Sequence, residues 1–249
     1  MSILTARTLA ALIRTTNSGP DTVLPELLSN STYVVSFVNA HAVNLACKNR
    51  EFFCALQSAD ILLRDGLGAR LLMGAVGRDA GLNMNGTDFI PALLMANRSL
   101  PIALYGSSSQ VAADAAEYLT RHGAVRVTHS DGFRSSDDYL SQLKIERPRI
   151  LILGMGMPKQ ELLAETLAKQ LEGPILIVNG GAILDFMAGR FERAPTLLRR
   201  LGLEWSYRLW LEPRRLWRRY VIGNAVFMAR AGLIALNYRL SGLFSVGNR

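Results

Sequence analysis

Short apolar runs alternate along this chain with longer stretches of helical spacing. Residues 33–38, 59–63, 101–105, 125–128, 150–153 and 175–178 are rich in Val, Ile, Leu, Ala and Tyr and read as strands. Residues 41–56, 67–75 and 88–96 space their apolar positions as helices do. Further helices end at His122, at Ile145 after Ser135 or Ser136, and at Leu171. Thr87 stands as a cap for 88–96, the polar, glycine-rich stretch 77–86 reads as a loop, and so does 17–32, which opens on Asn17-Ser18-Gly19-Pro20. Strands alternating with such helices predict an α/β fold, with a Rossmann-like, mainly parallel sheet covered by helices on both faces.

Polar residues collect directly after the predicted strands. Asn39, Asp65, Gly106, Asp131-Gly132, the 154–160 turn and Asn179-Gly180-Gly181 all do so. In a parallel sheet these positions share the carboxyl edge, where ligands bind. The sharpest stretch is 150–161. An apolar strand runs into Gly154-Met155-Gly156, and Pro158 then opens a helix carrying Lys159, Gln160 and Glu161. A strand, a glycine turn and a helix N-terminus make an anion site if the backbone N–H groups are free, so a phosphorylated ligand is expected there.

Composition adds direction. The 249 residues carry a net charge of +8, which favours anionic partners. The two cysteines, Cys47 and Cys54, fall two turns apart on one predicted helix, about 10 Å of rise, too far for a disulfide; two buried thiols are expected. Residues 1–16 lack the apolar core and cleavage site of a signal peptide. No run of about 18 uncharged apolar residues occurs, so no spanning helix is expected. His41, His122 and His129 are scattered and no Asp-x-Asp pair appears, so neither a metal site nor a cofactor is expected.

The pattern changes after Gly189. Arg193, Arg199, Arg200, Arg208, Arg214, Arg215, Arg218 and Arg219 interleave with Trp205, Tyr207, Trp210, Trp217 and Tyr220, and an apolar stretch broken by Arg230 and Arg239 follows. This matches a helix lying on an anionic membrane surface. A solvated helix packed on the core and a nucleic-acid face are the other readings, and the aromatic and apolar content favours the membrane. The chain thus divides into a Rossmann-like core, 1–194, and a basic helical appendage, 195–249.

Several strings carry a resemblance. Asp65-Gly66, Asn85-Gly86-Thr87-Asp88, Gly156-x-Pro158-Lys159-Gln160-Glu161 and Gly180-Gly181 with Asp185-Phe186 form the first group. Arg193-Ala194-Pro195, Leu203-Glu204-Trp205-x-Tyr207-Arg208 and Glu212-Pro213-Arg214-Arg215 form the second. Together, over about residues 31–228, they resemble the WecG/TagA/CpsF glycosyltransferases. The resemblance implies an inverting, metal-independent transfer from a UDP-sugar to a polyprenyl-pyrophosphate-linked glycan acceptor. It places such an enzyme in the bacterial cytoplasm, peripheral on the inner face of the membrane, in surface or exopolysaccharide biosynthesis. It also implies self-association, and gives nucleic acid no part.

Residue by residue, the resemblance makes Asp65 the base that takes the acceptor proton. From the residues alone, Asp65 could equally cap the next helix. Asn39, Gly106, Ser107, Gly132, Gln160, Gly181 and Asp185 become donor contacts. Thr87, Arg214, Arg215 and Arg218 fall on the acceptor or pyrophosphate side. Two positions depart from the family pattern: Phe37 where a Thr is often found, and Asn83 where an Arg is. They lean toward an exopolysaccharide member. Two other functions compete, a non-catalytic nucleotide-binding scaffold and an NAD-type oxidoreductase. Against the second, Lys159 stands where its third small residue belongs.

Overall fold

The structure is a computed structural model describing residues 2–17, 28, 30–200 and 202–246. Of the loop expected at 17–32, residues 18–27 and 29 lie outside the described residues. Helix α1 (Ser2–Leu12) leads into the two-residue strand β1 (Ile13–Arg14). Strand β2 (Tyr33–Val38), helices α2 (Ala40–Ala46) and α3 (Arg50–Gln57), strand β3 (Ile61–Arg64), helices α4 (Gly66–Ala75) and α5 (Gly86–Ala96) and strand β4 (Ile102–Gly106) follow. Next come α6 (Ser109–Arg121), β5 (Val127–Ser130), α7 (Ser136–Glu146), β6 (Ile150–Gly154), α8 (Lys159–Gln170), β7 (Leu176–Asn179) and α9 (Ile183–Met187). The C-terminal part holds α10 (Thr196–Arg200), α11 (Glu204–Leu211), α12 (Pro213–Trp217), a π-helical turn (Arg218–Ile222) and α13 (Gly223–Val246).

The strands pair in the order β1-β3-β2-β7-β6-β4-β5, every pair parallel. Their near-continuous apolar sequences follow from burial on both faces. Val35, Phe37, Ile61, Leu63, Ile152 and Val178 pack on one face with residues of α5, α6 and α9. On the other, Val34, Leu151, Leu153 and Ile177 meet α7 and α8. Val38 and Leu62 meet α1 to α4 and α13 on that same face. The expected parallel α/β sheet is therefore present, with the polar clusters at its carboxyl edge.

Some local expectations are corrected. The helix expected over 41–56 breaks at Cys47–Asn49, because the Asn49 side chain accepts the Phe52 N–H at 2.9 Å and starts α3 anew. The break leaves Cys47 buried and Cys54 exposed, so the shared buried face does not form. Asn85, not Thr87, caps α5, accepting the Asp88 N–H at 2.9 Å. Strand β5 begins at Val127, where its pairing with Ile102 of β4 begins. Strand β1, paired with β3 through Ile13 and Leu62, had no signal of its own at two residues.

Helix α13 is not a detached appendage. Phe227, Ala231 and Ile234 are buried in one cluster with side chains of α1 to α4. Met228, Leu233, Leu236, Tyr238 and Leu240 are exposed. By length and composition alone the continuous helix Pro213–Leu240 could cross a membrane. Its apolar run is interrupted by Arg230 and Arg239. Its buried stripe nevertheless ties this helix to the sheet domain.

Two connections place a crevice. From β4 the chain leaves for β5 on one side, and from the adjacent β6 it leaves for β7 on the other. Such a divergence opens a space outside the carboxyl ends of the two strands. Here it is narrow at its base. Gly106 and Gly154 pair across the ladder, and a Cβ on Gly106 would stand 2.3 Å from the Gly154 carbonyl oxygen. Only glycine fits at Gly106.

Candidate active site

A cavity of about 960 Å³ lies at the carboxyl ends of β2 and β3, walled on its far side by the C-terminal helices. Asn39 and Asp65, expected at one edge, line it together with Thr87, expected on the acceptor side.

Asp65 follows β3 and stands at the N-cap position of α4, but its side chain makes no capping bond. The capping alternative is thereby removed. Its Oδ2 instead accepts from Asn39 Nδ2 at 3.0 Å. Asn39 in turn is fixed at its other end, where Oδ1 accepts the Ala42 N–H at 3.0 Å and caps α2. One amide thus anchors to a helix terminus and aims its N–H₂ at the carboxylate. The next residue, Gly66, takes φ +79° and donates its N–H to Asn83 Oδ1 at 2.8 Å. Asn83, the departure noted above, therefore pins the turn that presents Asp65. Phe37, the other departure, is buried edge-to-face on Phe89 and is not part of the cavity wall.

Burial raises the pKa of Asp65, against the Asn39 hydrogen bond and the charges of Arg219, Arg208 and Arg64. A carboxylate held this way binds a proton more readily than an exposed one, which suits a base. His41 also lines the cavity, and burial, then the Arg219 charge, lower its pKa to about 4. It is neutral at physiological pH and offers hydrogen bonds without charge. Glu204 is a second cavity carboxylate, raised chiefly by burial, with Arg193 pulling it down and Asp65 and Asp88 pushing it up.

The arginines at the cavity are not the three expected. Arg214, Arg215 and Arg218 are exposed and absent from its wall, and Arg215 pairs with Glu212 at 2.6 Å. Arg199, Arg208 and Arg219 line it instead. The π-helical turn at Arg218–Ile222 changes the helical phase, and Arg219 and Tyr220 face inward. Arg219 Nε is buried without a partner among the described residues. Arg193 and Arg199 lie 2.7 and 3.9 Å from Asp88, tying the C-terminal part to the start of α5. His41, Glu204, Trp205, Arg199, Arg208 and Arg219 were not singled out as site residues beforehand. For Glu204, Trp205 and Arg208 the signal was in the string 203–208, but a string does not say which side chains turn inward.

The remaining expected residues form a second group at the β4–β6 crevice. None of Gly106, Ser107, Gly132, Gln160, Gly181 and Asp185 belongs to the cavity wall. Ser107 is held in the left-handed region at φ +54° by backbone bonds, donating to Gly154 O at 3.1 Å and accepting from Gly132 N at 2.9 Å. Its Oγ lies 3.4 Å from Asp185 Oδ1. Lys159 Nζ donates to Gly132 O at 2.7 Å and sits over the Phe133 ring. The group is thus a shelf of backbone with Ser107 and Asp185 on it.

Gln160 is placed differently from its expected role. It is 1% exposed, and its Oε1 accepts from Gly156 N and Gly181 N, both at 3.0 Å. The glycine turn does not offer the Gly156 N–H to a ligand, because Gln160 already occupies it. The expected anion nest is filled from within.

Comparison with known proteins joins these observations. The profile of the glycosyl transferase WecG/TagA/CpsF family matches residues 14–241. A Bacillus spizizenii protein named N-acetylglucosaminyldiphosphoundecaprenol N-acetyl-beta-D-mannosaminyltransferase is 27% identical over 179 residues, 70% of this chain and 69% of that protein. A Staphylococcus aureus protein of the same name is 27% identical over 202 residues, 76% of each chain.

Proposed function

The chain belongs to the WecG/TagA/CpsF family and is a glycosyltransferase; we propose that it moves a sugar from a UDP-sugar to a polyprenyl-pyrophosphate-linked glycan, with inversion and without a metal ion. The observation that carries the proposal is Asp65, uncapped, held by Asn39, and facing Arg208 and Arg219 across one cavity.

Asp65 takes the proton of the acceptor hydroxyl as its oxygen attacks the anomeric carbon. The bond from that carbon to the β-phosphate oxygen breaks on the opposite side of the sugar, which inverts the configuration. Negative charge grows on the departing UDP. Arg208 and Arg219 meet it, in a cavity where the low polarity strengthens each contact. The nucleoside rests on the shelf of Gly106, Ser107, Gly132 and Gly181, with Asp185 toward the ribose. Thr87 is at the acceptor side.

The test offers a panel of UDP-sugars and a polyprenyl-pyrophosphoryl N-acetylglucosamine acceptor, the acceptor class in the relatives' names, with and without EDTA. Product and free UDP are expected to form in equal amounts, with a rate unchanged by EDTA within about twofold. A wild-type protein that turns over none of these donors supports the scaffold reading instead, and loss of rate in EDTA removes metal independence.

We also propose that the enzyme is peripheral on an anionic membrane face. The exposed Leu233, Leu236 and Leu240 meet the lipid, and Arg214, Arg215 and Arg218, free of the cavity, meet its headgroups. Changing those three arginines to Glu is expected to weaken binding to anionic vesicles by at least roughly 10²-fold, at about 1 kcal/mol for each lost arginine. Sedimentation with vesicles measures it. Equal binding by variant and wild type, unaltered by salt, refutes the contact.

A further inference from the structure

One side chain joins the loops after β6 and β7. Gln160 Oε1 accepts from Gly156 N and Gly181 N, while its Nε2 donates to Glu161 Oε1 at 2.9 Å. Glu161 is itself 1% exposed, and its Oε2 is buried with no partner among the described residues. A second orphan lies on the same face of the sheet. Asn179, the last residue of β7, donates from Nδ2 to Ser36 Oγ at 2.7 Å, but its Oδ1 is buried without a partner among the described residues. Asn179 is two residues on from Ile177, which packs in the α8 layer with Leu163, Ala164 and Leu167.

A buried carboxylate oxygen without a donor is costly when charged, so the orphaned Glu161 oxygen points to a proton bound there. An ionised Glu161 can only accept; the neutral acid keeps one oxygen for the Gln160 amide and turns the other into an O–H donor. We propose that Glu161 is a positioning residue that works as the neutral acid, holding the Gln160 amide and through it the Gly156 and Gly181 N–H groups that shape the shelf. For its link to catalysis this rests on the shelf taking the donor, as proposed above.

The surroundings support the neutral form. Burial raises the pKa of Glu161 to about 7, opposed by the Gln160 amide and by a backbone N–H. Strands β2, β6 and β7 carry no charged side chain. The charged residues of the two helices packed on α8 are Arg50 and Glu51 of α3, and Asp137, Asp138, Lys144 and Glu146 of α7; none contributes to the shift. Glu146 is engaged by Tyr105 and Thr128, and the other five are exposed.

The sign follows from where the proton is bound. The folded state keeps it up to about pH 7, whereas the ordinary value is 4.5. Stability from this group is therefore full at low pH and falls as pH rises between those values.

Glu161→Gln mimics the neutral acid, with one acceptor and one N–H₂ donor, and cannot ionise. Three readouts test the idea. Glu161→Gln should keep hydrogen-exchange protection of the Gly156 and Gly181 amides, while Glu161→Ala loses about tenfold. The melting temperature of wild type should fall relative to Glu161→Gln from pH 4.5 to about 7. The donor KM should rise about tenfold in Glu161→Ala and stay within about threefold in Glu161→Gln. Glu161→Gln behaving like Glu161→Ala in exchange, or a melting difference flat with pH, overturns the neutral acid. The first two readouts need no donor, so they stand or fall apart from the proposed reaction. Intact exchange behaviour with an unchanged KM in Glu161→Ala removes the link to the donor shelf.

Discussion

Asp65→Asn is expected to lower kcat about 10²–10⁴-fold while leaving the fold intact. The variant keeps the side-chain shape and can still bond Asn39, so donor KM should move far less than kcat. Stability supplies an independent check. Burial raises the Asp65 pKa, so the charged form is the less favoured one in the folded protein. Above that raised value the ionised carboxylate weakens folding, and the neutral amide relieves this. The melting temperature of Asp65→Asn at neutral pH should therefore equal or exceed that of wild type. The wild-type rate should also fall on acidification at a higher pH than an ordinary carboxylate would give, and that limb should vanish with the residue. Single-turnover measurements across pH decide it. A variant with wild-type kcat removes Asp65 as the base, and one that is inactive because it melts early shows a structural role instead.

Arg219→Ala should give the second large loss, about 10²–10³-fold in kcat, the usual cost of removing one donor to developing charge. Unlike Arg214, Arg215 and Arg218, Arg219 faces the cavity, and its Nε has no partner among the described residues. Its charge also favours the ionised Asp65, so its removal should raise the Asp65 pKa further, and a melting curve checks that the variant is folded. Inhibition by UDP should weaken in parallel, because the leaving group carries the charge that Arg219 meets. Arg219→Lys is expected to recover only part of the rate, since a point charge does not reproduce the guanidinium fork. Arg218→Ala, one position away and exposed, is the control. Equal small effects at both positions would mean that the π-helical turn has no bearing on catalysis.

These two residues mark what was legible beforehand. Asp65 was visible because a polar residue after a buried run must fall at the carboxyl edge of a parallel sheet. Its companion Asn39 was visible for the same reason, though not its double duty as helix cap and carboxylate holder. Arg219 was hidden among four arginines within six residues, 214–219. Periodicity assumes a constant helical phase, and the π-helical turn breaks that assumption. Gln160 shows a different limit. Its place on the first turn behind two glycines fits a ligand contact, and it fits equally a side chain folded back on the N–H groups of its own loop. Composition marked the basic C-terminal segment but not that Phe227, Ala231 and Ile234 finish the core, because burial there depends on partners some 200 residues earlier. The break at Asn49 was a local competition between cap and helix, one that spacing alone does not resolve.

The contact between Gly106 and Gly154 bears on how such an enzyme could change its donor. No side chain can be added at Gly106, since any Cβ there would overlap a backbone carbonyl. Evolution, or an engineer, therefore cannot widen or recolour the crevice at its floor. New preferences must be written on the rim, at Asp131, Phe133 and Asp185, since Ser107 sits at φ +54° and a Cβ on Gly132 would press on the Ser107 and Gly106 backbone. A library confined to those positions samples donor range at little risk to folding, and one that includes Gly106 mostly samples unfolded protein.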